Sequence, residues 1–122
     1  MAYQIVSPDD IEPLDDRPVD ARSISAAAGL ENVGLRLYTA EPGEQLPLAY
    51  HYHDEQEEIF YVLDGTLHVE TPDEEFVVEP GTAFIAEPGN PHRAFNPESG
   101  SDPVEVLALG APAVDDAHPY EE

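Results

Sequence analysis

The sequence contains no cysteine and no lysine, and these two absences exclude several kinds of chemistry. Without cysteine there are no disulfides, thiol nucleophiles, iron–sulfur clusters or thiolate zinc sites. Without lysine there is no Schiff-base catalyst, no anchor for pyridoxal phosphate and no Walker A phosphate loop. Any chemistry must therefore use histidine, carboxylate, hydroxyl or backbone groups.

Positive charge is also scarce, because 27 acidic residues stand against 4 basic ones in a chain of 122 residues with a net charge of -23. The basic residues are all arginines, namely Arg17, Arg22, Arg36 and Arg93. Such a charge repels phosphate backbones and anionic membrane surfaces, so we expect neither nucleic acid nor a membrane as partner. An acidic surface with arginine in place of lysine is typical of proteins kept soluble in concentrated salt, where charges are screened within about 3 Å at 1 M. The alternative is an acidic protein adapted to ordinary salt.

Long apolar runs are absent, since no segment approaches the roughly 20 residues of a membrane span. The first residues, MAYQIVSPDD, lack the basic start and apolar stretch of a signal peptide. We therefore expect a cytoplasmic protein, and the length allows one domain.

Short apolar segments recur between turn residues, whereas helical periodicity is scarce. The 13 prolines and 8 glycines are spread along most of the chain, and Asp64-Gly65 suits a tight hairpin with positive φ. This pattern predicts an all-β protein whose strands can close a sandwich or a barrel. The predicted strands are Val33–Glu41, Leu46–His53, Glu58–Leu63, Thr66–Thr71, Phe76–Glu79, Ala83–Glu87, Arg93–Asn96 and Val104–Leu109.

The two ends of the chain are less regular. Tyr3–Val6 suits a first strand, and Ser23–Leu30 suits one or two helical turns that end at Gly29. We therefore predict an N-terminal strand with an acidic connection over residues 1–32, a barrel over 33–110 and an acidic tail over 111–122. We expect the end of that tail to be loose.

Candidate chemistry concentrates at three histidines and one glutamate. His51 and His53 are two residues apart on one predicted strand, so their imidazoles share a face with Cα atoms roughly 6.5 to 7 Å apart. A tight turn leads to Glu58, whose strand we expect to return antiparallel beside the first. With His92, these side chains make a plausible mononuclear site for a divalent transition metal.

These residues lie in two motifs that resemble those of the cupin family. The first runs from Gly43 through His51, His53 and Glu58 to Gly65, and the second reads Gly81, Glu87-Pro88-Gly89, His92 and Asn96. The spacer before His51 is longer than the family's by two residues, and Glu87 replaces a proline. All four ligand positions are nevertheless filled. The family spacing selects Glu58 rather than its neighbour Glu57, which strand parity alone does not decide.

The resemblance implies a double-stranded β-helix, or jelly-roll barrel, with His51, His53, Glu58 and His92 as ligands of one divalent ion. Iron, manganese, nickel, zinc and copper all remain candidates, because affinity for nitrogen and oxygen ligands does not choose among them. Similar cupins include dioxygenases, decarboxylases, isomerases and noncatalytic binders, so the fold does not choose the reaction.

Three hypotheses about function follow. The first is a metal-dependent enzyme, oxygenase or isomerase-like, that acts on a small polar metabolite, its catalytic residues beyond the metal ligands being unknown. The second is a noncatalytic module that binds a sugar or another small metabolite, with a structural metal. The third is a scaffold whose cavity is filled by side chains. The resemblance to small single-domain cupins also implies a homodimer, in which Tyr3–Val6 could add to the partner's sheet edge.

Several other residues are weaker candidates. We expect His68 at the surface or an interface, and we expect Arg93 in a surface salt bridge rather than in contact with substrate. Arg36 could hold an anion inside the barrel, depending on which way its strand is turned. We expect His118 to be a bystander. Three further predictions concern packing: Tyr50 and Tyr52 lie between sheets or at a dimer contact, and Asn96 bonds to the backbone.

Overall fold

The protein is mostly β-strand with little helix, as predicted. The structure, a computed structural model, describes residues 2–14, 19–46 and 50–120. Its helices are a short 3-10 helix (Pro8–Asp10) and α1 (Ile24–Ala28). Its strands are β1 (Asp20–Ser23), β2 (Gly34–Ala40), β3 (His51–His53), β4 (Glu57–Asp64), β5 (Leu67–Glu70), β6 (Glu75–Val78), β7 (Ala83–Ala86), β8 (Arg93–Phe95), β9 (Val104–Ala111) and β10 (Ala117–Pro119). Seven of the eight strands predicted between residues 33 and 109 are present with small changes at their ends. Of the second, predicted over Leu46–His53, only His51–His53 is strand, and residues 47–49, like Arg17, lie outside the described residues.

The strands form two layers in which every pairing is antiparallel. One layer is a five-stranded sheet in the order β1-β2-β9-β4-β7. The other contains the sheets β6-β5-β8 and β10-β3, which isolated bridges from Gln45 to Phe95 and from His51 to His92 join side by side. Buried side chains from both layers make one apolar core, which includes Val62 and Val106 from the first layer and Leu67 and Val69 from the second.

The strand that carries Glu58 does not return beside the strand of the two histidines, so that prediction is wrong. β4 pairs with β7 and β9 in the five-stranded sheet, whereas β3 pairs with β10 in the other layer. The short turn after His53 therefore crosses between layers instead of closing a hairpin. The turn at Asp64-Gly65 also crosses between sheets instead of closing the predicted hairpin. Gly65 has the expected positive φ of 76°, but β4 and β5 belong to different sheets.

The N-terminal region differs from the prediction. Residues 3–6 are in no strand, and Tyr3 and Ile5 project into solvent at 89% and 102% exposure. Instead β1, which lies in the predicted connection, occupies the sheet edge beside β2. The predicted helical turn is confirmed as α1, and it ends at Gly29 in the left-handed conformation.

The end of the chain is more ordered than predicted. β10 pairs with β3 through Ala117, His118 and Pro119, and the ring of Tyr120 packs on that of Tyr50 with centroids 4.9 Å apart. The tail thus covers the outer edge of the histidine strand, and this contact replaces the packing between sheets that we expected for Tyr50. Within the described residues, no helix is long and apolar enough to cross a membrane.

Candidate metal centre

His51 and His53 point inward from β3 because neighbouring side chains of a strand alternate between its two faces. Both imidazoles are buried, while Tyr52 between them lies on the other face against the ring of His118. The two imidazole centroids are 4.9 Å apart with their planes nearly perpendicular. The predicted shared face is therefore present.

Glu58 reaches the same point from the opposite layer. It shares the inner face of β4 with Phe60 and Val62, whereas Glu57 is exposed, so the structure selects Glu58 as the spacing predicted. Its Oε1 atom lies 3.6 Å from Nε2 of His51 and 3.6 Å from Nε2 of His53. One carboxylate oxygen thus faces both imidazoles of the histidine strand.

His92 completes the cluster beside the start of β8. It is almost fully buried, and its Nε2 lies 2.6 Å from Oε1 of Glu58. Its Nδ1 donates to the carbonyl oxygen of Asn90 at 2.9 Å, which fixes the ring so that Nε2 faces the cluster. His51, Glu58 and His92 offer ligand atoms that all lie within 4.8 Å of one another.

Asp116, which was not predicted from the sequence, contacts the ring nitrogen of His53 that faces away from the cluster. Its Oδ1 accepts from Nδ1 of His53 at 2.8 Å, and its Oδ2 accepts from the backbone N–H groups of Glu55 and Gln56 at 2.7 and 2.9 Å. The carboxylate therefore orients the imidazole and also holds the turn that crosses between layers. Carboxylates in this position are common behind metal-binding histidines. The sequence offered little signal for it, because Asp116 is one of many acidic residues and lies 63 positions away.

The charges within the cluster support one another. Burial favours the neutral form of Glu58, but the three imidazoles outweigh this effect and lower its pKa far below its usual range. Glu58 in turn raises the pKa of His53 against the opposing effect of burial, with a smaller contribution from Asp116. For Asp116 itself, desolvation is outweighed by the backbone N–H groups and His53, so its pKa is lowered.

The cluster opens into a cavity of about 660 Å³ between the layers. Apolar side chains such as Leu46, Phe60 and Val114 supply much of its wall, and Asp116 lies at its edge. Arg36 also lines this cavity, so its strand is turned with the arginine inward. The cavity is not filled by side chains, which argues against the scaffold hypothesis.

The remaining candidates lie away from this cavity. Arg93 binds Glu70 at 3.0 Å and lies over the ring of Phe95, which confirms the expected salt bridge. His68 is on the outer face of β5, where its Nδ1 lies 2.9 Å from Glu75. His118 contacts Asp54 Oδ2 through its Nε2 at 2.6 Å, on an exposed surface. Asn96 donates to two backbone carbonyl oxygens, as predicted.

The donor set fits a metal ion. Nε2 of His53 is buried and has no hydrogen-bond partner among the described residues, which leaves its lone pair directed at the cluster. Two further imidazoles and one carboxylate oxygen surround the same point. Nitrogen and oxygen donors of this kind suit first-row transition metals.

The chain belongs to the cupin family, because the family model of the cupin domain (Cupin_2) matches residues 36–110. No curated protein sequence matches it. A sugar phosphate isomerase of the cupin superfamily from Silicibacter pomeroyi has a similar structure, with 26% identity and a TM-score of 0.77 over 88% of this chain and 75% of that one.

Two more distant structures share the fold. A Klebsiella pneumoniae protein with a double-stranded β-helix domain is 22% identical, with a TM-score of 0.76 over 99% of this chain and 94% of that one. The polyketide cyclase RemF from Streptomyces resistomycificus is 20% identical, with a TM-score of 0.81 over 98% of this chain and 87% of that one. These likenesses confirm the predicted double-stranded β-helix.

Proposed function

We propose that this cupin is a metal-dependent enzyme of isomerase-like activity that acts on a small polar metabolite. The observation that carries the proposal is the convergence of His51, His53, Glu58 and His92 at one point. The first three of these residues also line an open cavity. The likeness to a sugar phosphate isomerase favours isomerisation over oxygenation.

The four residues would hold one divalent transition metal, whose charge polarises a substrate carbonyl or hydroxyl when it is bound. Three neutral imidazoles and one carboxylate would leave a net charge of about +1 at such a site. The chain itself contributes rigidity: Asn90 fixes the ring of His92, and Asp116 fixes that of His53.

Turnover is the direct test. With iron, manganese, nickel, zinc or copper restored separately to chelator-treated protein, we expect at least one ion to support interconversion of aldose and ketose phosphates. His51→Ala should lower the rate at least about a hundredfold, because it removes a group that positions the ion. His68→Ala is the matched control and should keep the wild-type rate, since His68 lies on an outer face. Binding of sugar phosphates without turnover by any loaded form would favour the noncatalytic module instead.

The outer face of the five-stranded sheet carries two apolar rows that cross four strands. The paired residues are Leu35, Leu109, Ile59 and Ile85 in one row and Leu37, Leu107, Tyr61 and Ala83 in the other. Two adjacent rows without charges across four strands are unexpected on a chain with a net charge of -23. We propose that a second copy of the chain covers this face, because its flat apolar rows can stack on themselves.

Dimerisation should depend on salt, since two copies of charge -23 repel each other until salt screens them. We expect light scattering in about 2 M KCl to report twice the monomer mass of 13.3 kDa. Ile85→Asp should give the monomer. Val77→Asp is the matched control, because Val77 is as exposed as Ile85, at 55% against 53%, but lies on the other layer. A wild-type monomer at every salt concentration would refute both the dimer and the proposed role of concentrated salt.

A further inference from the structure

Arg36 places a positive charge inside the cavity. It lies on the same face of β2 as Tyr38 and Ala40, both of which are buried against the core. It lines the same cavity as His51, His53 and Glu58. Among the described residues that line the cavity, it is the one basic side chain besides the imidazoles.

The guanidinium of Arg36 lacks the carboxylate partner that the other described arginines have. Arg22 contacts Asp20 at 3.2 Å and Arg93 contacts Glu70 at 3.0 Å. No carboxylate among the described residues lies within 4.0 Å of Arg36, whose hydrogen bond goes to the hydroxyl of Tyr38 at 3.4 Å. A guanidinium carries five N–H donors, so most of them remain for a ligand. Partial burial of a cation without a contacting counter-ion costs free energy, which a bound anion would recover.

Strand register sets the distance between Arg36 and the metal centre. Arg36 pairs with Ala108 on β9, while Glu58 pairs with Gly110 on the same strand. Two strand spacings and two residues along the strand separate the Cα atoms of Arg36 and Glu58 by about 12 Å. Both side chains line the same cavity, so a molecule of about three to six carbon atoms with an anionic end group could reach both of them.

We propose that Arg36 binds a phosphoryl or carboxylate group of the substrate while the rest of the molecule reaches the metal centre. This inference rests on the proposed function, and it adds which residue of the chain binds the anionic group of the substrate. A guanidinium can donate two parallel hydrogen bonds to either group, which fixes the orientation of the ligand as well as its charge. The general acidity of the chain would otherwise repel such a molecule.

The test compares ligands that share one sugar skeleton. The probes are glucose phosphorylated on its terminal carbon, glucuronate and glucose, titrated calorimetrically into metal-free and metal-loaded protein. We expect at least one anionic probe to bind more tightly than glucose, and the tighter of the two identifies the group as phosphoryl or carboxylate. Arg36→Met should weaken that binding about 10- to 100-fold, because it removes charged hydrogen bonds. Arg36→Lys should retain part of the affinity, since it keeps the charge but loses the paired donors.

Arg93→Met is the matched control, because Arg93 is neutralised by Glu70 and does not line the cavity. It should bind the anionic probes as wild type does. The proposal is overturned if Arg36→Met and Arg36→Lys bind them unchanged, or if wild type prefers neither anion over glucose. Metal content is measured in the same samples, so the two proposals can fail separately. Loss of anion binding in Arg36→Met with no metal in any protein would leave the anion site standing and refute the metalloenzyme.

Discussion

Replacing His92 with alanine should abolish stoichiometric metal binding. His92 is almost fully buried, and its Nε2 is the imidazole nitrogen nearest to Glu58, at 2.6 Å. The ring is also fixed by Asn90, so no neighbouring side chain can replace it without rearrangement. Elemental analysis of protein purified without chelator should give about one transition-metal ion per chain for wild type and a small fraction of that for His92→Ala.

Asp116→Asn provides an intermediate case in the same measurement. The substitution keeps the size of the side chain but removes the charge that orients His53, and such changes behind a metal ligand cost about 10- to 100-fold in metal affinity. His118→Ala is the matched control from the same strand segment, because His118 contacts Asp54 rather than the cluster. If Asp116→Asn and wild type bind the metal ion with equal affinity, the role of Asp116 is limited to stabilising the turn between the layers.

The affinity for the metal ion should also fall as the pH is lowered. Each imidazole must be neutral to bind a metal ion, and the raised pKa of His53 keeps its proton up to a higher pH than usual. Protons therefore compete with the metal as the pH falls through the range in which imidazoles titrate, and binding is weaker at the lower pH. Affinity that is independent of pH across this range would contradict a ligand role for the three histidines. If the His92→Ala variant binds a full equivalent of metal at any pH, the proposed metal site is wrong.

The strands and the positions of the four predicted ligands follow from local signals. Turn residues mark the strand ends, and the period of two places His51 and His53 on one face. The approach of Glu58 from the opposite layer could not be predicted in the same way, because adjacent strands joined by a short turn usually pair with each other. The turn here crosses between layers, held by a carboxylate that lies far along the chain.

The features that the sequence analysis missed depend on contacts between distant segments. β10 has no apolar alternation and contains a proline, yet it forms because β3 offers a free edge and Tyr50 a ring for Tyr120. Tyr3–Val6 has strand-like residues but forms no strand, and β1 occupies the sheet edge beside β2. The inward direction of Arg36 likewise depends on the parity of β2 relative to the core, which residue types alone left open. Local propensity is thus overruled wherever an unpaired edge or a buried face decides.

Replacing Gly65 with alanine should destabilise the fold by about 3 kcal/mol or more. Gly65 has a positive φ of 76° where the chain passes from β4 to β5, and this conformation alone costs a non-glycine residue about 1 to 2 kcal/mol. An added Cβ would also lie 2.4 Å from the carbonyl oxygen of Pro103 and 2.9 Å from Cα of Val104. Both are backbone atoms, and Val104 is fully buried in the core, so relief of the clash requires movement at the start of β9.

Gly81→Ala separates the two contributions. Gly81 has a similar φ of 81°, but an added Cβ there would meet no atom within 4 Å, so only the conformational cost applies. Chemical denaturation of both variants should therefore show a loss of about 1 to 2 kcal/mol for Gly81→Ala and the larger loss for Gly65→Ala. Equal losses of unfolding free energy would mean that the backbone at Pro103 moves aside at little cost. A larger loss for Gly65→Ala would show that this glycine is required by the close approach of the turn after β4 to the backbone at the start of β9.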